Sequence, residues 1–331
     1  MNFQNLQKIH TADRYLDNAF RSTTKYAKHI QEKRPKIKDN WGKFRYAQYI
    51  EIERIEHLQE ELTTILQKIH TKFPSLDSLP PFYNALAKVT IKYQATKHAL
   101  GSVKWAEEQC KQITKDAKIK IKLARTGEAI KQSRKQVYGR LGSIFRQINK
   151  HLIQIDTARM AMKRWPDIKP EMHTIAIAGY PNVGKSSLLR ALTATNPEIK
   201  AYAFTTKALN VGYMEVEPRI YQLIDTPGAF DRPMEEMNPI EKEAMIVLEH
   251  VAEKIIYMFD PSESCGYEVE LQLELAKRIK KLFNKPTEYV ANKMDLNTAK
   301  YKKIQNLFPY IQELSLKDGK GFEEVKKMVQ V

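Results

Sequence analysis

"GYPNVGKSS" occupies Gly179 to Ser187 and follows the apolar run "HTIAIA" at 173–178. It fits Gly-x4-Gly-Lys-Ser, the pattern of a loop that wraps phosphates between a strand and a helix. Glycines at 179 and 184 let backbone N–H groups turn toward phosphate oxygens with no Cβ in the way. The helix opening at Lys185 adds the partial positive charge of its N-terminus. Lys185 is placed to reach β- and γ-phosphates, and the Ser186 hydroxyl to ligate Mg²⁺. The expected cradle is the whole stretch: Gly179, Tyr180, Pro181, Asn182, Val183, Gly184, Lys185, Ser186 and Ser187.

Three further stretches follow in an order that fits the same chemistry. "DTPG" comprises Asp225, Thr226, Pro227 and Gly228 and ends an apolar run. Asp225 can hold Mg²⁺ through a water, and the Gly228 N–H can touch the γ-phosphate. Loss of that contact on hydrolysis would free the chain beyond it, which is switch behaviour. "AFTTKA" (203–208) lies where a first switch belongs, with Phe204, Thr205 and Thr206 near the nucleotide. Thr206 is the expected second hydroxyl on Mg²⁺, with Thr205 the alternative. "NKMD" comprises Asn292, Lys293, Met294 and Asp295 and selects the base. Asn292 can bond the purine imidazole and keto edge, and Asp295 can accept from the ring N–H and exocyclic amine of guanine. Adenine lacks that donor pair and would leave a carboxylate unpaired, a cost of about 1–3 kcal/mol. The Lys293 stem can lie over the base. In "LSLKDGKG" (314–321), the backbone of Ser315 and Leu316 is placed to meet the keto oxygen.

Outward from these motifs the chain changes period. "HTIAIAG", "KALNVGYMEV", "RIYQLID", "KIIYMFD", "PTEYVANK" and "YIQELS" are strand-like, with helical stretches between most of them. This pattern predicts an α/β P-loop GTPase domain: a mostly parallel sheet with one antiparallel edge strand, since the second and third runs have no helix between them. Before residue 166 the period is helical. Ile55, Leu58, Leu62, Ile65 and Ile69 share one face, "FPSLDSLPPFY" (73–83) reads as a loop, and one long helix is expected from Leu86 through Ala117. A third long helix carries Val137 to Ile155. The expected organisation is an all-α antiparallel bundle over 1–165, a linker over 166–172 and the GTPase domain over 173–331.

Composition narrows the class. The 331 residues are 42% hydrophobic and 28% charged, with mean hydropathy −0.53. No apolar run reaches the roughly 18 residues of a membrane span, and the start has no secretory pattern. Two cysteines, Cys110 and Cys265, make no disulfide framework or metal cluster, so a cytoplasmic setting is expected. The net charge of +16 is unevenly held. Residues 1–170 carry 34 Lys+Arg against 16 Asp+Glu, and residues 171–331 carry 21 against 23. A polyanion-binding first half is implied. Lys111, Lys115, Lys118 and Lys122 step along one helical face that Arg125 continues, and Lys131, Arg134, Lys135, Arg140 and Arg146 follow after the turn. These are the candidate RNA contacts, acting through phosphate charge. A lipid surface is disfavoured by the absence of a lipidation motif and of an apolar face beside the stripe.

The chain resembles the nucleolar GTP-binding protein 1 family, within the Obg-like branch of translation-factor-related GTPases. The resemblance is carried by "GYPNVGKSS", "YAFTTKALNVG", "LIDTPGAFDRPMEEMNPIE" and "FDPSESCGY", and in the helical half by "FPSLDSLPPFY" and "HALG". It implies a GTPase in assembly of the large ribosomal subunit, a helical bundle on ribosomal RNA, GTP and GDP as ligands, pre-ribosomal particles as partners, and a monomer when free. Leu316 departs from the pattern, which usually has a small residue there. Ala229 and Phe230 stand where many switch GTPases have a water-orienting Gln, so turnover should be slow. In GTPases resembling this one, an Asn at the position of Asn182 helps bind K⁺ beside the phosphates, which makes K⁺ a second expected ion; otherwise Asn182 braces the loop. The catalytic set is then Lys185, Thr206, Gly228 and Asn182. Two other readings stand beside this one: an RNA-binding module in which GTP is structural, and a signalling GTPase on another anionic partner.

Overall fold

The computed structural model of the chain describes residues 3–33, 36–165, 167–169, 171–193, 210–226, 239–296 and 298–330. The helical period produces five helices before residue 166: α1 (Ala12–Glu32), α2 (Asn40–Lys72), α3 (Pro81–Thr90), α4 (Tyr93–Leu123) and α5 (Gly127–Met162). Side-chain caps start two of the long ones. The Asp39 carboxylate accepts from the Gly42 N–H at 2.6 Å, and the Thr126 hydroxyl from the Ala129 N–H at 3.2 Å. Along α2, α4 and α5 the apolar stripe is fully buried at Ile55, Leu58, Leu62, Val103, Cys110, Leu141 and Ile155. Burial pushes the Cys110 thiol up to about 12, with Glu107 adding to the shift, so the group stays a neutral packing element.

The helix expected to run from Leu86 through Ala117 is two helices, α3 and α4, separated at Ile91 and Lys92. Val89, Thr90 and Ile91 are consecutive β-branched residues, which weakens the helix there. The loop expected over 73–83 holds a short 3₁₀ turn at Leu76–Ser78, and its last three residues already belong to α3.

Among the described residues after 173 the alternating pattern forms six strands: β1 (Thr174–Ala178), β2 (Asn210–Val216), β3 (Arg219–Asp225), β4 (Lys254–Phe259), β5 (Thr287–Ala291) and β6 (Gln312–Glu313). Their order is β2-β3-β1-β4-β5-β6. All neighbours are parallel except β2 and β3, so the single antiparallel strand lies at the edge, as expected. Every residue of β1 is buried, as suits a central strand covered on both faces. The described helices of this part are α6 (Lys185–Leu192), α7 (Pro239–His250), α8 (Val269–Phe283), α9 (Tyr301–Leu307) and α10 (Phe322–Met328). The sequence pattern places helices at 185–194, about 240–252, 267–283 and 321–329, and α9 lies outside them.

The chain divides into two compact units that do not follow its order. One holds Asn5–Leu76 and Ile91–Lys163; the other holds Met1–Gln4, Asp77–Thr90 and Arg164–Val331. Helix α3 therefore belongs with the sheet. The Tyr83 hydroxyl donates to the Ile168 carbonyl at 2.9 Å and accepts from the Ile168 N–H at 3.0 Å. Trp165 Nε1 donates to Thr90 Oγ1 at 3.0 Å, and Phe3 sets its ring 5.1 Å from both Tyr83 and Trp165. Buried Gln222 on β3 continues the link by accepting from the Lys169 N–H and donating to Thr174 Oγ1.

Replacing Tyr83 by Phe leaves both backbone groups of Ile168 without a buried partner. Stability should fall by about 1–3 kcal/mol. In urea unfolding the midpoint should drop while the slope stays constant.

Candidate functional site

The turn after β1 is shaped by three residues in left-handed backbone: Gly179 at φ 141°, Asn182 at φ 62° and Gly184 at φ 108°. A Cβ on Gly179 would stand 2.6 Å from the Met258 carbonyl oxygen of β4, and one on Gly184 would stand 2.3 Å from Asn292 Nδ2. Both glycines are thus required by close packing as well as by φ. Asn is among the residues that tolerate this backbone region best, which is a conformational reason for Asn at 182. Its side chain is exposed, as is Ser187. Val183 is buried in the core, and Tyr180 packs its ring 4.3 Å from that of Tyr267. Pro181 is half-buried between them in sequence.

Lys185 is buried at the head of α6 and donates to the Tyr180 carbonyl at 2.8 Å. Its ammonium is held inside the loop that should receive the phosphates. Ser186 Oγ lies 2.5 Å from Asp225 Oδ2, which also accepts from Asn210 Nδ2 at 3.1 Å. A hydroxyl and a carboxylate meeting beside a phosphate loop are the hard oxygen donors that Mg²⁺ requires. Thr226 ties the end of β3 to β1, its hydroxyl and N–H both donating to the Ile177 carbonyl.

Asn292, at the end of β5, joins two walls of the site. Its Nδ2 donates to the Val183 carbonyl at 2.9 Å, and its Oδ1 accepts from the Leu316 N–H at 3.4 Å. Asp295 Oδ1 accepts from Ser315 Oγ at 3.1 Å, while Lys317 Nζ lies 3.8 Å from Oδ2. The Ser315 N–H is engaged with the Lys320 carbonyl, and the Met294 N–H with the Leu314 carbonyl. The three base-selecting elements named from the sequence thus converge on one side of the sheet's C-terminal edge, the place where ligands bind in open α/β sheets.

Sequence reasoning assigned no role to Asp260, and the structure gives it a prominent position. It is fully buried after β4 and accepts from Ser262 N–H and Oγ, Ser264 Oγ, Cys265 N–H and Lys293 Nζ, the last at 2.8 Å. Burial pushes its carboxyl up, but the bonds from Lys293 and then Ser262 outweigh that and hold it below its ordinary value. Lys293 itself sits at φ 62° and also donates to Ser264 Oγ. Gln272 braces the turn from α8, accepting from the Asp260 N–H and donating to the Asp260 and Tyr267 carbonyls. The signal was available: "DPSES" closes an apolar strand with an acid and two hydroxyl residues, a composition that folds into side-chain-capped turns.

Phe204, Thr205, Thr206, Pro227 and Gly228 lie outside the described residues, as do Ala229 and Phe230. The ten basic candidates on α4, α5 and the turn between them divide into two groups. Lys118 pairs with Glu56, Arg134 with Glu51 at 2.7 Å, and Lys111 with Glu107 at 2.5 Å. Lys115, Lys122, Arg125, Lys131, Lys135, Arg140 and Arg146 are exposed and have no ion pair among the described residues.

Comparison with known proteins covers both parts. Residues 3–169 match the family model described as the NOG1 N-terminal helical domain, and residues 174–293 match that of the 50S ribosome-binding GTPase. The chain is 39% identical over 251 residues to the uncharacterized protein MJ1408 of Methanocaldococcus jannaschii, covering 76% of this chain and 70% of that protein. It is 33% identical over 301 residues to nucleolar GTP-binding protein 1 of Drosophila melanogaster, covering 90% of this chain and 45% of that protein. It therefore spans less than half the length of that fly relative. A solved structure of a candidate nucleolar GTP-binding protein 1 from Plasmodium falciparum is 32% identical, with a TM-score of 0.42 over 50% of this chain and 88% of that one.

An Asp260→Asn substitution removes the charge that holds Lys293. Stability at neutral pH should fall by about 1–3 kcal/mol. Because the folded carboxyl sits below its ordinary value, its contribution is complete above the unfolded value of about 4 and is lost as pH falls through the lowered folded value. Urea titrations across acid pH should show the two proteins converging toward low pH.

Proposed function

The chain belongs to the nucleolar GTP-binding protein 1 family, and on that premise we propose that it is a GTP-hydrolysing switch acting in assembly of the large ribosomal subunit. Its helical unit grips ribosomal RNA, and its sheet-bearing unit reports whether a third phosphate is present. The observation that carries the RNA part is the set of seven exposed basic side chains on α4, α5 and the turn between them that have no ion pair among the described residues, beside three whose charge is already answered by glutamates.

In this reading, incoming β- and γ-phosphates take the Lys185 ammonium from the Tyr180 carbonyl that now holds it. The N–H groups of the 179–184 loop add fixed donors without reorganisation. Ser186 would hold Mg²⁺ directly and Asp225 through a water, and that ion supplies charge neutralisation between the phosphates. Asp295, oriented by Ser315, accepts the two guanine donors, and Asn292 meets the imidazole edge. Thr206 and Gly228 sense the γ-phosphate. Ala229 and Phe230 carry no group able to orient water, so unassisted turnover is slow. Asn182 would supply an oxygen to hold K⁺, an ion that would add positive charge beside the phosphates.

Two experiments test this. Crosslinking in living cells should map the protein to large-subunit ribosomal RNA; dispersed or tRNA-dominated sites would remove the ribosomal role and leave the nucleotide chemistry standing. For K⁺, Asn182→Gly keeps the left-handed backbone and deletes only the carboxamide. The parent should turn over GTP faster in KCl than in NaCl, and the variant should bind GTP yet show equal rates in both salts. Equal rates in the parent would reject the K⁺ role.

A further inference from the structure

One end of the helical unit combines unpaired cations with exposed aromatic rings. Gln48 Nε2 on α2 donates to the Ile121, Lys122 and Ala124 carbonyls, at distances of 2.9 to 3.3 Å. The Tyr46 hydroxyl donates to the Ile30 carbonyl, and Arg134 meets Glu51. These bonds bring the first turns of α2 and α5 together with the last turns of α1 and α4. Farther along α2 several acids have partners: Glu51 takes Arg134 and Arg54, Glu56 takes Lys118, and Glu53 accepts from Tyr26. At the end itself Lys43, Arg45, Lys122, Arg125 and Lys131 are exposed without an ion pair among the described residues. Of the acids there, Asp39 is occupied in capping α2, and Glu32 and Glu128 are exposed, in the last turn of α1 and the first turn of α5.

The apolar groups at this end are equally unusual. Trp41 is 68% exposed, Leu123 75% and Tyr49 48%. A tryptophan is ordinarily among the more buried residues. Here Phe44 lies 5.9 Å from the Trp41 ring and the Arg45 guanidinium 5.7 Å from its centroid, yet most of the indole remains open. A ring held beside a guanidinium, with further cations around it, matches a nucleotide: a flat base to stack and a phosphate on each side to pair. The excess of cations over acids selects a polyanion over an ordinary protein surface.

We propose that this end of the helical unit is a stacking platform for unpaired RNA bases, with Trp41 as the ring that receives a base and Arg45, Lys122, Arg125 and Lys131 as contacts to the flanking phosphates. The proposal rests on the RNA reading above and adds where RNA sits and which form it takes. Double-stranded RNA, whose bases stack on each other, gains from the cations alone.

The test uses the full chain, with binding measured at about 0.1 M salt. The probes are a single-stranded oligoadenylate of about 12 nucleotides and a blunt RNA duplex of about 16 base pairs. Trp41→Ala should weaken oligoadenylate binding on the order of tenfold and leave duplex binding unchanged. Trp41→Phe should restore most of the loss. Lys122→Gln should weaken both probes and lower the salt slope by about 0.7 to 0.9. Since Trp41 is exposed, both Trp41 variants should keep the parent's circular dichroism and GTP turnover. Unchanged oligoadenylate binding in Trp41→Ala, with the parent binding both probes, would overturn the platform alone. A parent that binds neither probe would overturn the RNA reading with it. Stronger capture by phosphatidylserine vesicles than by either RNA would overturn the platform in favour of a lipid surface.

Discussion

The site is built around one side chain, the Asn292 carboxamide. Its nitrogen is committed to the phosphate loop at Val183, and its oxygen to the base loop at Leu316. Gly184 is fitted against it so closely that a single added carbon would collide. The residue read from the sequence as a purine contact is here the crosspiece between the 179–184 turn and the 314–321 turn. Both loops are irregular backbone, with few bonds of their own to fix them. One amide, satisfied at both ends, ties the two turns together.

A second brace works at right angles to the first in chain order. Asp260 ends β4, Lys293 follows β5, and the neighbouring parallel strands are tied beyond their last ladder residues by an ion pair. Four donors besides Lys293 converge on the Asp260 carboxylate, so its burial is compensated. The Lys293 ammonium is thereby anchored beside the turn after β4. The turn that supplies these donors also carries Tyr267, which packs against Tyr180 of the phosphate loop. The stretch "DPSESCGY" is thus occupied in holding both the lysine and the loop.

Much of this was legible in the sequence, for identifiable reasons. The phosphate loop, the edge strand and the convergence of 179–187, 225–226, 292–295 and 315–316 follow from local spacing plus the geometry of a parallel sheet. What depends on a distant partner was not legible. Periodicity put Lys118 and Arg134 on a basic face, but the glutamates that answer them lie on α2, some sixty to eighty residues away. The same period ran on across Ile91, because a helical pattern does not record which unit a turn packs into. Asp260 escaped notice because an isolated acid after a strand resembles a surface turn until its donors are seen. The contrast within the helical unit follows from the same pairing: where α2 supplies acids the surface is electrically quiet, and where it does not the cations stand free.

The interleaving of the two units bears on how the protein is made. Helix α3 emerges from the ribosome early, yet its partners Trp165 and Ile168 come more than seventy residues later. Phe3 must wait longer still for the same tryptophan. Until synthesis passes that point, Phe82 and Tyr83 have no interior to enter, although α1, α2, α4 and α5 can already close on one another. The nascent chain therefore presents the α3 aromatics before their partners exist, and the sheet-bearing segment packs on α3 as it arrives. An excision at any single point would leave one unit without a piece of itself.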